Sequence, residues 1–263
     1  IYDYIEQNGL QTGLTECLVL NDNYYIDQRP ATHKAAYTCL EALLAHGEKS
    51  PLVYSELAAL HLEAVTDGYP YPAGASEEQA LSLARQAIQM GRTSPYAHRS
   101  FGFVTARTGS AEESIRWMKK AYELNTYDLG MAASYGYALI FAGKYSEGTA
   151  IMARAVDAAS AHPSWWDYSL FLGAFMQGDS DRAARAAEVL AASRKAHYLA
   201  ARIIVADEAG KHELADRLLG ELTGAFPKFA ANPEAALRTA NYPRDLTERF
   251  VAALRAAGLR SAS

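Results

Sequence analysis

Four glycines recur along this chain at nearly constant spacing. Gly109, Gly143, Gly178 and Gly210 stand 34, 35 and 32 residues apart, inside the similar phrases ARTGSAEES, IFAGKYSEG, FMQGDSDRA and DEAGKHELA. Each phrase follows one apolar helical stretch and precedes another. A period of this length restricts the chain to stacked supersecondary units, because one unit alone cannot bury its apolar face. Glycine at the shared position is expected to supply a positive φ in the turn between two helices. An irregular helical bundle with accidental spacing is the alternative, and four phrases in phase speak against it.

Counted from the glycines, the packing positions also repeat. Five residues on stand Ser114, Gly148, Ala183 and Ala215; nine on stand Met118, Met152, Ala187 and Leu219; twelve on stand Ala121, Ala155, Leu190 and Leu222. Seven residues before, the small residue that lets paired helices approach is Gly102 or Gly136, replaced by Phe171 and Ile203 in the later units. Pro95, Pro163 and Pro227 fall between units, where proline stops or starts a helix. This pattern resembles the tetratricopeptide (TPR) repeat. It implies an all-α, TPR-like α-α superhelix, a solenoid of antiparallel helix pairs.

The chain then reads as one repeat domain over 1–263. It comprises an N-terminal helical hairpin at 1–50, a degenerate repeat with an insertion at 51–94, repeats at 95–128, 129–162, 163–195 and 196–229, and a capping helix within 230–263. In the degenerate unit, helices at about 51–66 and 76–91 are separated by TDGYPYPAGA. Ser76 with Glu78 and Gln79 resembles a capping box, and Ala80, Ala84 and Ala87 take the packing positions. The insertion's Tyr69-Pro70-Tyr71-Pro72 is either a recognition loop or a brace against the hairpin.

Cys17 and Cys39 are the only cysteines. Their midpoint is residue 28, within the turn Asp27-Gln28-Arg29-Pro30. Antiparallel helices at 3–25 and 31–46 would set the two thiols at one height, within reach of a disulfide. That bond implies an oxidising compartment such as the periplasm; two buried free thiols are the alternative. Zinc is disfavoured, because two cysteines without a His pair do not make four ligands.

Half of the residues are apolar, enough for a core, and the formal charge of −5 argues against nucleic-acid binding. The densest basic group, Arg116, Lys119 and Lys120, reads as a solvated helix face. No apolar run reaches membrane-spanning length. The chain starts at Ile1 and not at Met, so a fragment is expected, and a signal, a membrane anchor or a catalytic domain N-terminal to it would not show in this sequence.

Motifs of catalysis are missing from the sequence: no HExxH, no phosphate-binding loop, no GxSxG elbow. The pairs Glu77-Glu78 and Glu112-Glu113 sit in first helical turns, where the helix dipole accounts for them. A binding domain is therefore expected, without catalysis, cofactor or metal.

In a TPR array the first helices line the concave face. The inward positions are Tyr96, Arg99 and Phe103; Tyr137 and Ile140; Trp165, Tyr168, Leu172 and Phe175; and His197, Ile204 and Asp207. Aromatics and arginine are enriched at binding hot spots, so the expected ligand is a peptide, protein or small molecule in this groove. The alternative is that many of these aromatics are core between units. Homodimerisation stays open.

The opening Tyr2–Tyr4 (YDY), the CLEALL phrase at Cys39–Leu44 and the ending YPRDLTERFVAALRAAGL at Tyr242–Leu259 resemble one family. It is the C-terminal TPR region of bacterial class III adenylate/guanylate cyclase-like proteins or winged-helix transcriptional regulators. The resemblance implies a periplasmic sensor domain of a membrane-anchored signalling protein, with Cys17 and Cys39 paired in the first hairpin. A cytosolic TPR adaptor with reduced cysteines is the rival. No cyclase or winged-helix residues are present, so neither activity carries over.

Overall fold

The computed structural model describes residues 13–192 and 195–260, and the YDY phrase at Tyr2–Tyr4 lies outside them. Fifteen α-helices and no strand occur among the described residues. They are α1 Leu14–Asp27, α2 Pro30–Ala45, α3 Pro51–Asp67, α4 Glu77–Met90, α5 Pro95–Thr108, α6 Ala111–Leu124, α7 Leu129–Phe141 and α8 Tyr145–Ala158. There follow α9 Ser164–Gln177, α10 Ser180–Val189 with a 3-10 turn at Leu190–Ala192, α11 Ala196–Glu208, α12 His212–Ala225, α13 Pro227–Ala231, α14 Pro233–Thr239 and α15 Arg244–Ala256. The chain divides into two compact units, Ile1–Met131 and Ala132–Ser263. Each is a stack of antiparallel helix pairs of TPR type.

Local chemistry sets the helix starts. The Ser-Pro steps at Ser50-Pro51 and Ser94-Pro95 place proline at the first helical position while the serine oxygen accepts the N–H of Leu52 or Ala97. Ser76 and Ser110 cap α4 and α6 through Gln79 and Glu113. Each such cap contributes about 1 kcal/mol. Glu77, Glu78, Glu112 and Glu113 occupy first turns, where the dipole favours them.

The phased glycines divide into two kinds. Gly143, Gly178 and Gly210 adopt φ of 76°, 74° and 69°, the left-handed turn expected of them. Gly109 does not: its φ is −125°. A Cβ there would stand 2.8 Å from Glu113 Oε2 and 3.1 Å from the Thr105 carbonyl, so the position is tight but demands no left-handed turn.

The small packing positions hold the pairs together. In α5/α6 the Ser114 hydroxyl donates to the Gly102 carbonyl at 2.8 Å, and a Cβ on Gly102 would stand 2.9 Å from Met118 Cγ. In α7/α8 two backbones touch: a Cβ on Gly148 would lie 2.8 Å from the Gly136 oxygen.

In the first unit α1 and α2 form the N-terminal hairpin. Cys17 and Cys39 are buried and joined by a disulfide, with Cα atoms 5.3 Å apart. The turn runs through Gln28, which takes a left-handed φ of 51°. The Tyr-Pro insertion folds back on this hairpin. The Tyr69 hydroxyl donates to the Gln28 carbonyl at 2.8 Å, and the Tyr71 hydroxyl donates to Glu41 at 3.3 Å. It acts as a brace, spending both tyrosines within the fold.

In the second unit α15 packs on α14 and also reaches α11 and α9. It covers more than the last pair, which departs from the simple terminal cap expected. Among the described residues no helix is long and apolar enough to cross a membrane.

Candidate functional site

In the first unit the expected inner face is the layer of first helices, α1, α3 and α5. On α5, Tyr96, Arg99 and Phe103 are all half-buried. One guanidinium nitrogen of Arg99 donates to Glu56 of α3 at 2.6 Å, and the other Glu56 oxygen accepts from the Asn21 amide of α1 at 3.1 Å. The Tyr96 ring lies 5.5 Å from the guanidinium carbon, a cation–π contact. Three helices are thus tied through one carboxylate.

The electrostatics follow from burial. Burial alone would lower the Arg99 pKa; Glu56 foremost, and Asp128 among others, reverse this and raise it, so the guanidinium stays charged. The Glu56 side chain is 4 % exposed against 27 % for Arg99, so the carboxylate is the inner member of the pair. Asp22 is pushed up by burial and then by repulsion from Glu56, with Arg99 opposing. Tyr25, on α1, is held well above the ordinary phenol range by burial and then by Glu63 and Glu56. Phe103 packs on the cluster of Ala58, Leu62, Ala80, Ala84 and Val104.

The second unit carries the rest of the expected groove, and most of it is closed. Tyr168 and Phe175 are each 4 % exposed, which corrects their reading as ligand-facing residues. The cause is the chain's own C-terminal segment. The Tyr242 hydroxyl donates to the Tyr168 hydroxyl at 3.0 Å, and its ring meets Phe141 edge-on at 4.9 Å. Phe250 packs against Phe171 and Phe175, each at 6.3 Å. The Arg249 guanidinium lies 4.8 Å over the Phe175 ring and donates to the Met176 carbonyl at 3.0 Å. The Tyr145 hydroxyl donates to Asp245 at 2.8 Å.

Ile140, Leu172 and Ile204 are also core, at 1 % exposure or less. Tyr137 and Trp165 stay half-exposed and meet at 6.0 Å, with Tyr137 stacked on Phe141 at 4.3 Å. His197 is walled by Tyr168 at 4.7 Å and Tyr198 at 4.6 Å. Burial, then Lys195, brings its pKa down to about 3, so the imidazole is neutral. Asp207 lies 3.0 Å from His212 Nδ1.

Sequence reading placed Arg99 on the face but missed Glu56, Asn21, Asp22 and Tyr25. These lie on the hairpin and the degenerate unit, where no phased glycine extends the frame. The available signal was Arg99 itself: a cation on a half-buried face needs a counter-ion, and Glu56 sits 43 residues earlier, about one unit plus the insertion. No group of three or more His, Cys, Asp or Glu able to hold a metal occurs among the described residues.

No protein-family model matches the chain, and no curated protein matches it by sequence. Solved structures do match by fold. PilW, a widely conserved type IV pilus biogenesis factor, superposes with a TM-score of 0.55 at 18% identity, over 81% of this chain and 93% of that one. A tetratricopeptide repeat protein from Parabacteroides merdae gives 0.53 at 14% identity, over 95% and 89%. The APC/C Cut9–Hcn1 structure gives 0.61 at 15% identity, over 95% of this chain and 45% of that one. At these identities the likeness establishes a TPR-like fold. None of these matches links the chain to a cyclase or a winged-helix regulator.

Proposed function

We propose that this chain is a non-catalytic TPR binding domain that docks a peptide or protein partner on the inner face of its first unit. The observation that carries the reading is the contrast between two sets of inward residues. Tyr96, Arg99 and Phe103 remain partly exposed around an ordered charge pair, whereas in the second unit Tyr168 and Phe175 are covered by Tyr242, Arg249 and Phe250 while Tyr137 and Trp165 stay partly exposed. Arginine and tyrosine fixed in place lose little conformational freedom on binding, which favours them as anchors. The fold's relatives support this use: helix-pair arrays present extended surfaces to partners.

The finer reading is a regulatory module of a membrane-anchored bacterial signalling protein, lying in the periplasm and biasing an output domain across the membrane. Its supports are the resemblance of the closing Tyr242–Leu259 sequence and the paired cysteines. A cytosolic adaptor is the second reading, favoured if the thiols are reduced in the cell.

Two experiments test these readings. A photo-crosslinking residue at Tyr96, compared with one at the exposed Arg116, should capture a partner from the native cell only at position 96. Equal capture at both positions would remove the face from consideration. Mass measurement after alkylation, with and without reductant, should show two thiols that become accessible only after reduction; free thiols in freshly isolated protein would transfer the case to the adaptor.

A further inference from the structure

Two histidines are buried where the N-terminal hairpin meets α3. His33 of α2 is fully buried; its Nε2 lies 2.9 Å from the Leu60 carbonyl and therefore carries the proton. Its Nδ1 has no protein hydrogen-bond partner. His61 of α3 is also buried, with Nε2 2.9 Å from the Tyr37 hydroxyl and Nδ1 likewise without a protein partner.

Aromatic rings enclose both. Tyr24 of α1 and Tyr69 of the insertion each meet the His33 ring at 5.0 Å. Tyr37 of α2 meets His61 at 5.1 Å, and Tyr71 of the insertion backs Tyr37 at 5.3 Å. The hairpin, α3 and the insertion therefore converge on two imidazoles.

The charged groups around them are few. Asp67 of α3 favours a proton on His33, while His33 disfavours one on His61. Glu63 of α3 faces Tyr24. On α2, Glu41 accepts from Tyr71 and Lys34 sits 5.4 Å over the Tyr71 ring. Burial is the largest effect on both imidazoles and holds both pKa values below the ordinary histidine range. Once protonated, each ring would hold a buried cationic Nδ1–H without a protein acceptor, which is costly in an apolar seam.

We propose that this seam is a proton-operated latch: it is closed while His33 and His61 are neutral and opens as they become protonated, with the Cys17–Cys39 bond keeping α1 and α2 joined as the hairpin swings away. The open form binds more protons than the closed one. Closure is therefore at full strength above the free-histidine range near pH 6.5 and weakens as pH falls below it. Opening uncovers Leu57 and Leu60 of α3, both buried when the latch is closed. The inference goes beyond the docking face above and does not depend on it.

Hydrogen exchange on the oxidised chain at pH 7.5 and 5.0, each normalised to unstructured-peptide rates, tests the latch. Peptides over 30–45 and 51–75 should lose protection by about 10-fold or more at pH 5.0, while peptides over 111–124 hold theirs. The double variant His33→Gln/His61→Gln should respond equally at both pH values. Unchanged protection over 30–45, equal loss throughout the chain, or a pH response that survives in the double variant would each overturn the latch. Should that variant not fold, the imidazole NMR titration of the unmodified protein decides. Protonation of both rings together with loss of hairpin protection supports the latch, and titration near pH 6.5 with the hairpin still protected overturns it.

Discussion

Arg99 reaches back 43 residues to place a guanidinium nitrogen 2.6 Å from the Glu56 carboxylate. That carboxylate is buried and shared with Asn21. Removing the arginine leaves an uncompensated charge among three helices. Arg99→Met should therefore destabilise the first unit by about 3 kcal/mol, as read by urea unfolding at pH 7.5. Glu56→Gln/Arg99→Met should recover much of the loss, because no charge is then left unpaired. A double variant as unstable as the single one would show that the pair matters through packing alone.

The Tyr242–Tyr168 hydroxyl pair makes a separable statement about the second unit. Tyr242→Phe keeps the ring and removes the donor, leaving the buried Tyr168 hydroxyl with one partner fewer; the expected loss is about 1–2 kcal/mol. Phe250→Ala removes a ring that is fully buried against Phe171 and Phe175, and should cost about 3–5 kcal/mol. Calorimetry on the two variants checks the order. A smaller loss for Phe250→Ala than for Tyr242→Phe would mean that α15 is loosely held.

Gly148→Ala should destabilise, against helix propensity. In an open helix the change would gain up to about 1 kcal/mol. Here the new Cβ would lie 2.8 Å from the Gly136 oxygen and 2.9 Å from the Ile140 nitrogen, both backbone atoms that cannot step aside. A net loss of about 2 kcal/mol is expected from overpacking. Gly220→Ala, with open space around it, should be neutral or stabilising. Thermal melts of the two proteins separate the cases.

His197 gives the second unit its own acid sensitivity. Its pKa is lowered to about 3 in the folded chain, against about 6.5 unfolded. The unfolded form then binds the extra proton first, so the stability it contributes is complete above about pH 6.5 and is lost progressively as pH falls towards 3. Denaturation midpoints between pH 7 and 4 should fall less steeply in His197→Gln than in the unmodified chain. Parallel curves would show that His197 titrates freely.

The period of the four glycines was enough to place most helices, and the reason is local. Ser94-Pro95 and Ser110 start helices by chemistry confined to one turn, and Gly143, Gly178 and Gly210 end them in the same way. Gly102, Gly136 and Gly148 were legible for a related reason: a close backbone approach excludes every larger residue. Gly109 was misread because its backbone has an ordinary negative φ, and what crowds it is Glu113 and the Thr105 carbonyl, brought alongside by the fold. The cysteines were found by equal distance from a turn, a relation that stays within one hairpin.

The sequence by itself therefore determined the helical repeat and its phase. Which inward residues remain open was decided only by tertiary structure. Arg99 and Tyr168 occupy equivalent positions, each ten residues before its phased glycine, yet one stays partly exposed and the other is covered by Tyr242, 74 residues further along. Nothing in the neighbourhood of Tyr168 in sequence announces that cover. Arg99 likewise finds Glu56, and His33 finds Tyr69, only once the helices have stacked. Burial depends on what the rest of the chain brings alongside, and periodicity records only which side of a helix a residue is on.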